Sequence, residues 1–213
     1  MELYGEHGFE HTTVAEIAER AGLTERTFFR HFADKREVLF GGAAELQATL
    51  VEGVASAPTG TAPIECVAAA LRAVAPMFEE RRAFARQRQA IIAANPDLLE
   101  RELIKLATLA AATAAALRER GVSEPEASLA AEAAIAVFRI GFERWITAPD
   151  GGPELAQVID ELFGSLSATV TAAEPASAPT GGVGGSTATT RGRRRESRTR
   201  PASPAASDSP ATM

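Results

Sequence analysis

Residues 12 to 40 read TTVAEIAERAGLTERTFFRHFADKREVLF, the pattern of two short helices separated by a tight turn. Thr12 and Thr13 suit an N-cap, because a hydroxyl accepts from the open amides of a first helical turn. Glu16 lies three residues after Thr13 and completes a capping box. Val14, Ile17, Ala18 and Ala21 recur at helical spacing and leave Glu16, Glu19 and Arg20 outward. Gly22 ends this helix, where a left-handed residue is best made without a Cβ. Leu23 is expected to plug the turn. Thr24 caps a second helix from Glu25 through Phe32. With so short a linker the helices must cross steeply, and the second can then enter a major groove about 12 Å wide.

The formal net charge is −6, which opposes binding to a polyanion. Between Arg20 and Arg36, however, Arg20, Arg26, Arg30, Lys35 and Arg36 stand against only Glu25 and Asp34. The sign of charge at the docking surface outweighs the total. Arg26, Thr27 and Phe28 fall in the first turn of the second helix, where base contacts are made. An arginine can take guanine O6 and N7 together, and a threonine methyl can pack on thymine. Phe9, Val14, Ile17, Leu23, Phe28 and Phe32 are expected to form the small core of this unit. His31 fits either a phosphate contact or a spacer between Phe28 and Phe32.

This segment resembles the DNA-binding domain of the tetracycline-repressor (TetR) family. The resemblance is carried by Gly8-Phe9, Thr12-Thr13-Val14, Glu16-Ile17-Ala18, Ala21-Gly22-Leu23-Thr24, Thr27-Phe28-Phe29, His31-Phe32 and Asp34-Lys35-Arg36-Glu37. It implies an all-α homodimer that acts as a ligand-responsive repressor on double-stranded operator DNA. It also implies DNA contact by Thr13, Thr24, Glu25, Arg26, Thr27, Phe28, Phe29, Arg30, His31 and Lys35, with Phe29, His31 and Lys35 on or near the phosphates. Position 29 is usually tyrosine in the family, so Phe29 lacks a hydroxyl that could reach a phosphate. The family carries a longer first helix than residues 2–7 supply. About ten to twenty residues are therefore expected ahead of Met1, and the form beginning at Met1 is expected to bind DNA weakly, since a single helical turn is marginal alone.

Hydrophobic residues make up 46% of the 213 residues and aromatic ones only 6%, so the rest of the core must be Ala, Leu, Val and Ile, a mixture suited to closely packed helices. The expected organisation is a helix-turn-helix domain over 1–42, a helical ligand-binding and dimerisation domain over 43–173, and a disordered tail over 174–213. A fourth helix is expected from Lys35 to about Val54, then helices over about 62–79 (kinked or ended by Pro76), 81–94, 96–121, 123–147 and 153–172. Asn95-Pro96 reads as a cap followed by proline at the first helical position. The region 62–172 resembles, diffusely, the C-terminal domain of regulators related to the mycofactocin-system regulator, a group associated with acyl-CoA-like ligands.

A ligand pocket is expected from Phe84, Arg88, Ile92, Phe138, Phe142 and Trp145, with plain core packing as the competing use of the same residues. Arg88 shares the apolar face of Phe84 and Ile91, so it needs an anionic partner. Either an internal acid such as Glu132, the preferred reading, or a ligand group would serve. Arg81, Arg82 and Arg86 are expected in solvent. Leu155, Ile159, Leu162, Phe163 and Leu166 share one face of the last helix and are expected to form a dimer interface.

No Gly-rich phosphate loop, metal-spaced His or Cys cluster or nucleophile elbow is present in the sequence, so neither an enzyme, a cofactor nor a metal is expected. Charges interrupt each apolar run, and the N-terminus carries acids where a signal peptide needs cations, so a cytoplasmic protein with no membrane partner is expected. Single Cys66 suits a small buried residue. Arg191 to Arg200, RGRRRESRTR, holds six arginines and one acid, which suits a solvated extension or an auxiliary phosphate-binding arm. The alternative function is a helical dimer that binds a small apolar molecule without effective DNA binding.

Overall fold

Prolines and glycines set several of the helix boundaries of this chain. The structure, a computed structural model, describes residues 1–171. The Pro-, Ser- and Arg-rich segment, with Arg191–Arg200, lies outside the described residues. Among those described, all regular structure is helical: α1 (Glu2–His7), α2 (Val14–Arg20), α3 (Glu25–His31), a 3-10 segment (Lys35–Phe40), α4 (Ala43–Ala55), α5 (Pro63–Val74), α6 (Pro76–Glu79), α7 (Arg82–Ala93), α8 (Pro96–Glu119), α9 (Glu126–Thr147) and α10 (Leu155–Thr171). Proline occupies the first turn of α5, α6 and α8, where its missing N–H is no loss.

Two expectations about elements need correction. The helix expected over Lys35–Val54 is two pieces, because Gly42 turns left-handed at φ 88° between the 3-10 segment and α4. Apolar spacing continues across that break, which is why the sequence reads as one helix. The stretch Lys35–Ala55 is also long and apolar enough, by length and composition, to cross a membrane, although Glu45 and Glu52 interrupt it. In the fold it is split at Gly41-Gly42, and Leu39, Phe40, Leu50 and Val54 are buried against the rest of the protein. Asn95 does not cap α8 with its side chain. Its amide donates back to the Ile91 carbonyl of α7 at 2.6 Å.

The larger core lies among α4, α5, α8, α9 and α10. Leu50, Val54, Val67, Leu71, Val74, Leu117, Trp145, Val158 and Ile159 are fully buried there. Each such side chain contributes about 1.5–3 kcal/mol by leaving water. Cys66 belongs to this core, with its thiol toward the Thr61 carbonyl at 3.6 Å. Arg120, past the end of α8, donates to the carbonyls of Ala55, Ala57 and Pro58 at 2.7–2.9 Å and so closes the C-terminal end of α4.

A second apolar cluster joins the N-terminal helices to α7 and α8. It contains Tyr4, Phe9, Leu39, Phe40, Ile92 and Leu98. Cations ring it. Arg88, Arg101 and Lys105 lie over the Phe40 ring at 5.2, 5.9 and 5.3 Å. Glu37 pairs with Arg101, and Lys105 approaches it at 3.7 Å. The 3-10 segment is thus held to α8 by charge as well as by apolar contact.

Candidate nucleic-acid interface

The turn between α2 and α3 is built as the sequence predicts. Thr13 accepts from the Glu16 amide at 3.2 Å, and the Glu16 carboxylate accepts from the Thr13 amide at 2.7 Å, a complete capping box. Those bonds from Thr13 hold the Glu16 carboxyl below the usual carboxylate range. At the other end Gly22 has φ 67°, and the Leu23 amide reaches back to the Ala18 carbonyl at 2.8 Å, a Schellman closure. Thr24 then caps α3 by accepting from the Thr27 amide at 3.2 Å. Leu23 does not plug the turn, because its backbone closes the helix while its side chain is 47% exposed. Ala18 and Phe28 take the central apolar positions, with Val14, Ile17 and Phe32 half-buried.

The side chains of α3 divide cleanly. Phe28 is 3% exposed, with Phe29 edge-on to it at 5.5 Å and Phe32 at 5.3 Å. Phe28 is therefore withdrawn from the expected DNA contacts: it anchors α3 and cannot reach a base. Thr24, Glu25, Arg26, Phe29, Arg30 and His31 are exposed, and Thr27 is half-exposed. Thr13 is exposed at the start of α2. Arg30 leans on the His31 ring at 3.3–3.4 Å. Among the described residues neither Arg26 nor Arg30 has an acid partner, so both charges face outward.

Lys35 is the main correction. Its ammonium donates to the carbonyls of Phe9, Glu10 and Thr12 at 2.8, 3.0 and 3.0 Å, and it sits 4.6 Å from the Phe9 ring centre. All three protons are used, so no donor is left for a phosphate. Two more of the five cations are also engaged. Arg20 pairs with Glu2 and Glu6 of α1 at 3.0 and 3.4 Å, and Arg36 pairs with Asp34 at 2.6 Å. That arginine, with the Arg36 and Glu37 amides, holds the Asp34 carboxyl below its ordinary value. The positive field at the reading surface thus comes from Arg26 and Arg30 rather than from all five cations. Glu2 and Glu6, acids upstream of those cations, act as partners of Arg20 within the chain.

A family model described as bacterial regulatory proteins, tetR family, matches residues 1–40, and one described as the MftR C-terminal domain matches residues 61–171, more than half of the chain. The chain belongs to the TetR family. Within the family, the HTH-type transcriptional regulator TcmR of Streptomyces glaucescens is 39% identical over 74 residues, which are 35% of this chain and 33% of TcmR. The chain therefore spans about a third of the length of the curated relative it matches. Among solved structures, Thermus thermophilus FadR, a TetR-family transcriptional repressor in complex with lauroyl-CoA, is similar over 86% of this chain and 95% of its own, at 24% identity and a TM-score of 0.54. A TetR-family regulator from Mesorhizobium loti is similar over 80% of this chain and 91% of its own, at 18% identity and a TM-score of 0.52. At these identities the two structures speak for the fold alone.

The residues expected to line one pocket are not together. Ile92 lies in the cluster beside the reading domain, while Phe138 and Trp145 lie in the larger core with Phe142 against it. Phe84 is 45% exposed and lines an open cleft of about 390 Å³ with Leu3, Tyr4, Ile17 and Val38. Arg88 is paired internally, but with Glu102 at 2.6 Å rather than Glu132, and its Nε donates to the Leu39 carbonyl at 2.6 Å. It is therefore removed from the pocket. Arg82 and Arg86, expected in solvent, bind the carbonyls of the α9–α10 connection: Arg82 those of Pro149 and Pro153, Arg86 those of Ile146 and Ala148. Leu155, Ile159 and Phe163 are buried inside the protomer, and Leu162 and Leu166 pack on the same core. That face of α10 is used within one chain and is not free to form the expected dimer interface.

Tyr4 ties α1 to the far side of this domain, its hydroxyl donating to the Lys35 carbonyl. Burial pushes its phenol up to about 12, and the charge of Asp34 adds to the effect. An acid raised in the folded state contributes stability that is complete below its ordinary value near 10 and is lost as pH rises through the folded one. Tyr4 is the only tyrosine, so tyrosinate absorbance reports it alone. We expect ionisation near 12 accompanied by loss of helix. A midpoint near the ordinary value in a protein still folded would mean that the phenol is not held. Glu16 and Asp34 act in the opposite sense: their caps stabilise above about pH 4, the ordinary carboxylate value, and fade as pH falls below it.

Proposed function

We propose that this TetR-family protein is a homodimeric transcriptional repressor in the cytoplasm, released from operator DNA by a small apolar or acyl-type molecule. The observation that carries the DNA part is the first turn of α3. Arg26 is exposed and, among the described residues, without an acid partner, beside Thr27, on a helix fixed by the Thr24 cap and the buried Phe28. The two α3 helices of a dimer would stand near one DNA turn apart, about 34–36 Å. Thr13, Thr24, Glu25, Thr27, Phe29, Arg30 and His31 would contact the backbone or adjacent bases.

The effector part rests on the aromatic row Phe78, Phe138, Phe142 and Trp145, where neighbouring rings stand 5.3–5.9 Å apart. We take an acyl-type molecule because FadR, a repressor of the same fold, is seen in complex with lauroyl-CoA. Ligand would favour a different spacing of the reading helices and so lower DNA affinity by population shift. The dimer would use the outer faces of α9 and α10, where Leu129, Ile140 and Val170 are exposed.

Selection from random duplexes gives the operator on which this reading is tested. Arg26→Ala is expected to cost about 1–3 kcal/mol and to relax preference at one base position. Arg30→Ala should lower affinity for all sequences alike and reduce the salt slope by about one contact. A chain that enriches no sequence at all would favour the alternative, a helical dimer that binds a small molecule without reading DNA.

A further inference from the structure

Arg82 and Trp145 form a polar pair whose hydrogen bonding is incomplete. Trp145 is wholly buried near the end of α9, and the Arg82 guanidinium lies over its ring at 4.8 Å. The two terminal nitrogens of Arg82 reach the Pro149 and Pro153 carbonyls at 3.4 and 2.6 Å. Its Nε–H and the indole Nε1–H are both buried and have no acceptor among the described residues. An orphaned buried donor is costly, and two in one contact call for an explanation.

Charge points the same way. The other arginines of α7 each have an acid partner, Asp150 for Arg86 at 3.8 Å and Glu102 for Arg88 at 2.6 Å. Among the described residues no carboxylate lies within ion-pair distance of Arg82. Apolar surface adjoins the pair. Phe142 stands 5.6 Å from Trp145, and Phe138 and Phe78 continue the row. Phe78 and Phe142 are only half-buried, so the row reaches the surface.

We propose that Arg82 and Trp145 hold the carboxylate of a fatty-acid-like monoanion whose chain runs along Phe142, Phe138 and Phe78. Two carboxylate oxygens can accept from the two orphaned N–H groups, and the negative charge answers Arg82. A water molecule could accept the hydrogen bonds but would leave the charge unanswered. The site deepens, and rests on, the effector reading above. It also lies on the helix that seats the reading domain, since α7 holds the Leu39 carbonyl through Arg88 and the Met1 carbonyl through Gln87.

Trp145 is the only tryptophan, so its emission reports the site directly. The 213-residue protein titrated with sodium dodecanoate should show a saturable emission change. Dodecan-1-ol, which has the chain without the charge, should bind about tenfold or more weakly, and Arg82→Met should weaken dodecanoate by a similar factor. Circular dichroism checks that the variant folds. Trp145→Phe keeps a ring and removes only the N–H, so calorimetry on it decides the matter if Arg82→Met does not fold, with weaker dodecanoate binding expected. Equal affinity for acid and alcohol, no dodecanoate binding, or undiminished binding in the folded variants would overturn the site. DNA affinity measured in parallel separates the two claims. An emission change with operator binding unaltered keeps the site and removes the effector reading. Release of DNA by dodecanoate with silent Trp145 keeps that reading and removes the site.

Discussion

Lys35→Met is expected to abolish tight operator binding while leaving the salt dependence of the residual binding unchanged. A phosphate-contacting lysine would behave differently: its loss removes one counterion from the slope and little else. Here the ammonium gathers the Phe9, Glu10 and Thr12 carbonyls in the segment that leads from α1 into α2. Methionine fills much of the volume and donates nothing, so three carbonyls lose a charged donor together. The expected cost is about 2–3 kcal/mol, reduced from a simple sum because partly exposed carbonyls regain water. That is a large share of what holds a domain this small. The loss should appear first as fraying of α1–α3, read by hydrogen exchange at the amides of α2 and α3 with α8–α10 unaffected. A folded Lys35→Met protein whose salt slope falls by one contact would return Lys35 to the DNA surface.

Lys35 also shows which part of this molecule can be read from its sequence. The capping box of Thr13 and Glu16, the Schellman turn at Gly22 and the Thr24 cap are local, closed within five residues, and the residue types at those spacings specify them. The helix ends at Pro63, Pro96 and Gly121 are local in the same way. The destinations of the cations are not. Lys35 finds its carbonyls 23–26 residues upstream, Arg20 finds Glu6 and Glu2 14 and 18 residues upstream, and Arg101 finds Glu37 64 residues away. Counting charges along the chain treats each as free for DNA, yet most are spent tying helix ends and domains together. Phe28 was legible in part: helical spacing sets it on the side of Phe32 as core, while the family resemblance offered it to DNA, and its burial decides for the core. The partner of Arg88 was not. Glu102 and Glu132 are both acids on later helices, and only packing chooses between them.

The dimer face gives the last test, in which two substitutions of one kind should separate. Phe163 is 8% exposed within a single protomer, while Ile140 is 46% exposed on α9. Ile140 lies four residues before Arg144, whose guanidinium meets Glu161 of α10 at 2.7 Å, so it sits along the edge that α9 shares with α10. Phe163→Glu places a carboxylate in the apolar core that also holds Val158 and Ile159. Loss of the ring and burial of a charge together should cost about 4 kcal/mol or more, enough to unfold much of the protein before assembly is in question. Ile140→Glu exposes its charge to water in the monomer and should leave the fold and melting temperature nearly intact. In a dimer that pairs the outer faces of α9 and α10, the same carboxylate is taken out of water. A desolvated charge without a partner is costly, so this variant should sediment as a folded monomer and lose operator affinity with Arg26 still in place. Sedimentation velocity with circular dichroism distinguishes the two fates. A folded dimer from Ile140→Glu would move the interface off this face, and a folded monomer from Phe163→Glu would return α10's inner face to the subunit contact.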